Sequence, residues 1–404
     1  MERDSNTESR DNLKLPLSSI CLLLCVWGAF ETFATVVFYW PILKLFGYGT
    51  IFLMLVTLSR REDEETPSHF ALGVEIVVVC FLLLLAQDIS LQHLPRPLLG
   101  PARLDIATTV LNALKSLFVF HENPYNPSSL SRWTTFSGVA FAYGPMMMVG
   151  YFPYLYSSTY FKLCSFLYLF GIWALTMRFA VQGIKDSLPR LAAAVFATAV
   201  LMMPRAVLND VSEGINDHFP VFLLLLSLTL FQRNKRGWAG VVAGLSLSAK
   251  FSPAAFLLVL LIRRRFPVRF FVGVAVGCLP MLPFFLWDPA RFVHDIVYFH
   301  FVKAGTPTSI YTITPPELHR WLRYLKVVFV ALFIIRNFAK EIEIKSLMYE
   351  FTLLVILINA LHIEMHSNYL VWILPTSAIL FTGWRFRAAS LGRGLLGWNQ
   401  GIHR

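Results

Sequence analysis

An all-α, polytopic transmembrane helical bundle is the fold class that the sequence predicts, and three observations carry it. Of 404 residues, 56% are hydrophobic and only 15% are charged, against roughly 25% charged in an average soluble domain. The apolar residues fall in long runs, and a bilayer core about 30 Å thick needs roughly 20 apolar residues per helix. The 35 basic residues outnumber the 24 acidic ones, and they cluster in the links between those runs. That is the positive-inside pattern of a multispanning protein, not the footprint of a nucleic-acid binder. Aromatic residues at 15% exclude disorder.

The first apolar stretch, 15–58, is long enough for two crossings, with Glu31 and Lys44 obscuring where it divides. It runs too far, without a basic, apolar and small-residue layout, to be a cleavable signal peptide. Further spans are expected at 70–87, 160–182, 190–206, 218–232, 268–287, 323–337, 346–363 and 367–384. With the interrupted segments below, the total comes to about 10–13 membrane helices, with interfacial helices on the outer face. The expected organisation is an N-terminal membrane hairpin and cytoplasmic loop (1–69), one transmembrane domain (70–384) and a basic cytoplasmic tail (385–404). Cys21, Cys25, Cys80, Cys164 and Cys278 all lie in apolar stretches and read as small buried hydrophobes.

Orientation follows from the basic links. Arg60-Arg61, Lys185/Arg190, Arg233-Asn234-Lys235-Arg236, Arg263-Arg264-Arg265 and Arg336/Lys340/Lys345 are placed in the cytoplasm, with Arg385 and Arg387 at the tail. Loops 88–137, 207–217, 288–322 and 363–366 then face outside. This parity requires that 138–158 does not cross fully, and Gly144-Pro145, Gly150 and Pro153 would interrupt any helix there. Such a re-entrant or surface element is allowed where protein or water covers its backbone. Segment 237–262 is basic at both ends and broken by Lys250-Phe251-Ser252-Pro253. A hairpin keeps both ends inside, and arms of about 12 residues reach only about 18 Å. Lys250 then sits at membrane depth, where a charge needs a polar cavity or a partner.

Eight of the ten histidines fall on the outer side: His93, His121, His218, His294, His300, His319, His362 and His366. The same loops hold Asp105, Glu122, Asp210, Glu213, Asp217, Asp288 and Glu364. Groups able to titrate or carry acid-base chemistry thus gather on one face. Asp105 opens an amphipathic helical run, Asp105–Leu114. Its acid is either a first-turn residue favoured by the helix dipole or a general base at the membrane boundary.

Asp105, His121-Glu122-Asn123-Pro124-Tyr125 and Phe141-Ala142-Tyr143-Gly144-Pro145 follow one another as in the opening of GT-C glycosyltransferases. Three later stretches keep the family order. Asp210–Asp217 resembles an outer Gly-Asn/Gln-x-Asp loop, Gly244–Pro253 a Gly-Leu-x-x-x-x-Lys-x-x-Pro element, and His366–Pro375 a His-x-x-Tyr-x-x-x-x-x-Pro element. The resemblance spans 105–375 and is closest to polyprenyl-phosphate-mannose-dependent mannosyltransferases of bacteria and to the catalytic subunit of GPI mannosyltransferase I. The chain departs from the family pattern at Glu122, where relatives usually have glycine, and in having only Asp105 where some relatives have two acidic residues near the catalytic position.

The resemblance implies a GT-C-like fold and an inverting glycosyltransferase, working without nucleotide, cofactor or bound metal. It would move a hexose, with mannose expected, from a polyprenyl-phosphate carrier to a lipid or glycan acceptor. Asp105 would be the catalytic base. Lys250, His300, Lys303 and His366 would hold the donor phosphate, and Glu122, Tyr125, Tyr143, Glu213, Asn216, Asp217 and Tyr369 the sugar or acceptor. Plainer roles stand beside these: an acid-paired or snorkelling Lys250, an interfacial anchor at His300 and Lys303, a structural His366, and a helix cap at Asn216 or Asp217. The expected partners are the lipid-linked sugar, its acceptor and membrane lipids, with no nucleic acid. The expected location is a bacterial inner (plasma) membrane, with the site on the outer face. A transporter or lipid carrier would also suit a broken helix with an intramembrane lysine, but it needs polar groups reaching both faces. A non-catalytic subunit of an envelope assembly complex is the other alternative.

Overall fold

The computed structural model describes residues 105–128, 139–184, 214–263, 267–299, 314–338, 344–360 and 370–391, with scattered positions between 190 and 211 and at 311. It is an all-α helical membrane protein, with no strand among the described residues. Thr159–Val181 and Val268–Trp287 are long and apolar enough to cross a bilayer, and shorter apolar helices include His218–Gln232, Ser346–Ile358 and Val371–Leu380. The expected spans within 15–58 and 70–87 lie outside the described residues, and that at 190–206 lies within them only in part.

Helix α1 (Asp105–Phe118) buries Ala107, Val110, Ala113 and Leu114, which recur at helical spacing on one face. Beyond it, no continuous helix runs through 139–158. Pro145 caps the five-residue α2 (Met146–Gly150), and Pro153 sits in the first turn of a 3-10 segment (Phe152–Leu155). Proline lacks the N–H that an interior helical position must donate, so these two residues start short pieces and forbid a long one. α3 (Thr159–Val181) follows.

α4 (His218–Gln232) and α5 (Arg236–Ala249) form an antiparallel hairpin, closed by Asn234 in the left-handed region at φ 59°. Hydroxyls tie the arms together: Ser227 donates to the Ala239 carbonyl and Ser246 to that of Pro220, each at 2.7 Å. α5 stops at Lys250, whose backbone is extended. Pro253 then caps α6 (Ala254–Leu261), and α7 (Val268–Gly277) runs parallel to α5. Gly240 and Gly244 of α5 face Gly273 and Gly277 of α7. A Cβ built on Gly244 would lie 2.8 Å from the Gly277 Cα, so this small-xxx-small seam lets the two backbones touch. Because α5 and α7 are parallel, α6 must carry the chain back between them, as the hairpin reading of 237–262 expects. The arms have 14 and 8 residues, so the shorter spans only about 12 Å.

Residues 282–298 fold as α8 (Leu282–Trp287), α9 (Pro289–Val293) and one π-turn (His294–Tyr298). α10 (Pro316–Asn337), α11 (Ile344–Ala360) and α12 (Leu370–Leu391) complete the bundle. At the basic end of the bundle Arg263 makes a buried ion pair with Glu350 in the second turn of α11. α12 begins at the opposite end, where Trp372 reaches the start of α4. The main apolar core joins α3, α4, α5, α6, α7, α10, α11 and α12. A second cluster, containing Tyr125, Phe141, Tyr143, Phe161, Ala249 and Phe292, lies under the end opposite the basic one.

Candidate functional site

The end opposite the basic links is built around a buried charge pair. The Lys250 ammonium lies 2.6 Å from Asp217 Oδ1, with the lysine side chain 11% exposed and the aspartate fully buried. Trp372 donates its indole N–H to the same oxygen at 2.7 Å. Asp217 is the N-cap residue of α4 but makes no side-chain cap bond, so the capping role open in the sequence is not what its carboxylate does. The acid-paired role for Lys250 is realised, and it explains how the cation tolerates its depth. Helix breakage makes the contact possible: ending α5 in extended backbone at Lys250 puts the side chain at the rim and not along the helix.

The interrupted stretch 139–158 is strapped to this rim. Gly144 donates its N–H to the Ala249 carbonyl at 3.0 Å. A Cβ at Gly144 would collide with the Ser248 carbonyl, which is why a glycine is required there. The next residue back, Tyr143, presents its ring 5.6 Å from the Lys250 ammonium, within cation–π range. Tyr125 in turn fixes Tyr143: its hydroxyl donates to the Tyr143 carbonyl at 2.8 Å. Its ring is fully buried against Phe141, Phe284 and Phe292. Burial and the nearby Asp295 carboxylate push the Tyr125 phenol well above its ordinary value.

Arg291 connects the 289–298 segment to the same loop, donating to the Tyr125 carbonyl at 3.2 Å and pairing with Asp295 at 3.3 Å. His294 adds a 2.8 Å contact to the other Asp295 oxygen. Burial raises the Asp295 carboxyl, while His294 and Arg291 pull it down. Asp288 caps α9 through the Arg291 N–H.

The structure thus joins Tyr143, Asp217 and Lys250, with Tyr125 as their support. Asn216, next to Asp217, is fully buried, and neither amide atom has a hydrogen-bond partner among the described residues. Glu122 sits apart, bonded to the Ser128 hydroxyl within its own turn. α1 starts at Asp105 and its buried face belongs to the same cluster as Tyr143 and Ala249. The Asp105 side chain, Glu213, His300, Lys303, His366 and Tyr369 lie outside the described residues. Trp372 was not foreseen: it sits in the quoted His366–Pro375 stretch, but a tryptophan in an apolar run gives no sign of where its one donor points. Arg291 and Asp295 were also missed, since their i,i+4 spacing is common on solvated helices. Among the described residues, no three His, Cys, Asp or Glu side chains gather as a metal site would need.

Residues 140–336 match the model of glycosyltransferase family 87. The match supports a membrane glycosyltransferase, and it includes Tyr143, Asn216, Asp217 and Lys250. No curated protein and no solved structure matches the chain.

Proposed function

We propose that this glycosyltransferase moves a hexose, in the first instance mannose, from a polyprenyl-phosphate carrier to a lipid or glycan acceptor on the non-cytoplasmic face of the membrane. The observation that carries the reading is the meeting of Tyr143, Asp217, Lys250 and Trp372, drawn from four separate stretches, at the end of the bundle away from the basic links. A lipid-linked sugar is an amphiphile whose phosphate rides at the membrane surface. An enzyme using it needs apolar walls, a cation at that depth and polar groups for the sugar.

In this reading Asp105 takes the proton of the acceptor hydroxyl as its oxygen attacks the anomeric carbon. The bond to the phosphate oxygen breaks on the opposite face, so the product has inverted configuration. The departing phosphate gains negative charge, which Lys250, His300, Lys303 and His366 offset. Fixed charges in a water-poor site act without reorganising. Asp217 and Trp372 hold the lysine in place, and the Asn216 amide, without a partner among the described residues, is suited to sugar hydroxyls, since buried polar groups seldom lack a partner. Tyr143 lines the same rim, and Glu122, Glu213 and Tyr369 complete the acceptor side.

The test is transfer of labelled hexose from a synthetic polyprenyl-phosphate hexose to extracted lipid acceptors by the purified protein. The wild type should transfer with inversion. Asp105→Asn, folded to the same melting temperature, should lose about 100- to 10,000-fold in rate, the range typical of a general base. An inert wild type would end the proposal, and an active Asp105→Asn would end the assignment of the base.

A further inference from the structure

The start of α4 holds two polar side chains that their protein surroundings leave unserved. Asn216 and His218 flank Asp217, and both are fully buried. Neither amide atom of Asn216 and neither ring nitrogen of His218 has a hydrogen-bond partner among the described residues. The other buried side-chain atoms in that condition fall one to a residue, so the concentration here is particular to the candidate site.

The groups around them are already engaged. Toward α3, the Tyr151 hydroxyl lies 3.1 Å from that of Ser165, which donates to the Ile215 carbonyl at 3.3 Å. On the other side, Lys250 and Trp372 both bond Asp217. The His218 ring is within electrostatic reach of Asp217 and Lys250, and it faces the Ile215 carbonyl without reaching hydrogen-bond geometry. Helix capping does not account for Asn216, because its side-chain oxygen accepts no N–H. An unmet buried polar group costs stability, and native proteins pair nearly all of theirs. The groups that complete these two residues are therefore those of a ligand bound beside Lys250.

The atoms themselves define that ligand. Asn216 offers one acceptor oxygen and an NH2 donor, and a neutral imidazole offers one donor and one acceptor. An imidazole buried without an acid of its own is neutral. A phosphodiester only accepts, so it would leave the amide oxygen and the bare ring nitrogen unmet. A hydroxyl both donates and accepts. We infer that Asn216 and His218 form a sugar subsite that reads hydroxyl groups of a neutral hexose beside the Asp217–Lys250 pair. The inference rests on the transferase reading for the identity of its ligand, and it adds His218 and a division of labour: these two residues take the sugar and leave the phosphate to the cations. Sugar recognition can be measured as binding, without transfer.

The experiment titrates farnesyl phosphoryl mannose, its monodeoxy and monofluoro analogues, and farnesyl methyl phosphate (the same phosphodiester without a sugar) against the purified full chain in micelles. Tryptophan fluorescence reports binding. The mannosyl ester should bind at least about tenfold more tightly than the methyl ester, and removing a hydroxyl that the subsite reads should cost about tenfold. Fluorine at the same position cannot donate and should not restore the loss. Asn216→Leu and His218→Phe should each reduce the preference for the sugar about tenfold while the methyl ester binds as before. Both should melt no lower than the wild type, because apolar atoms in the same space remove an unmet buried group; residues with a merely structural role would melt lower. Thr176→Val removes a buried α3 hydroxyl that also lacks a partner among the described residues, and it should change no affinity. Should the two site variants not fold, the ligand analogues decide the matter. The inference is overturned if the wild type shows no preference for the mannosyl ester, or if both variants keep that preference. Equal affinity for every analogue also overturns it, and would mean that the two residues hold buried water only. A sugar preference that the variants abolish, with no transfer by the wild type, would remove the transferase reading and leave this subsite standing.

Discussion

Replacing Lys250 by methionine separates the structural from the chemical part of the site. Asp217 is fully buried and its carboxylate lies 2.6 Å from the ammonium, so Lys250→Met leaves a buried charge without that cation. Removing one member of a buried pair typically costs about 3–5 kcal/mol. The residual 11% exposure of the lysine puts the expected loss toward the lower figure. The double variant Lys250→Met/Asp217→Leu removes both charges at similar volume and should return to within about 1 kcal/mol of wild type, because two desolvation penalties vanish with the attraction. Transfer should be lost in both variants. The parallel cycle at Arg263–Glu350, buried at the basic end, should give the same stability pattern but restore transfer in its double variant. Denaturant unfolding in micelles, beside the transfer assay, reads all of these. A double variant as unstable as Lys250→Met would refute the pairing argument, and full transfer by Lys250→Met would remove the lysine from the chemistry.

Two further outcomes are expected. Gly240→Ala should cost about 1–3 kcal/mol by overpacking, since its Cβ would collide with the Phe270 carbonyl, whereas Gly237→Ala, with its nearest neighbour 4.0 Å away, should be nearly neutral; equal melting temperatures for the two would contradict the seam. Burial holds the Asp295 carboxyl above its ordinary value. Its stabilising contribution is therefore complete below the unfolded pKa of about 3.9 and is lost as pH rises through the higher folded value. Asp295→Asn should flatten that decline in melts taken between pH 4 and 7, and an unaltered slope would count against it.

The parts of the fold legible in the sequence are those set by local chemistry. Pro145, Pro153 and the flanking glycines forbid a long helix through 139–158 wherever that segment lies. The basic residues at both ends of 237–262, with Pro253 between, require a break near Lys250, and α5, Lys250 and α6 supply it. Asp217 and Lys250 were each legible as site residues, but not as partners. They are 33 positions apart, and nothing local says that the start of α4 and the end of α5 meet at one rim. Tyr125 read as a ligand contact because a Pro-Tyr pair in an outer loop gives no measure of burial. In the structure it supports Tyr143 from beneath. The α5–α7 seam was present as two Gly-x-x-x-Gly spacings, yet spacing alone does not reveal which helix faces which.

Sidedness is the claim on which the chemistry depends, and accessibility labelling in sealed vesicles measures it directly. Asn126→Cys and Phe251→Cys, placed in a cysteine-free background, belong to the end that holds Tyr143 and Lys250, and Asn234→Cys belongs to the basic end. The first two should react with an impermeant maleimide only from the side on which acceptor is glycosylated, and Asn234→Cys only from the other. Labelling of Asn126→Cys and Asn234→Cys from the same side would contradict the one-sided site.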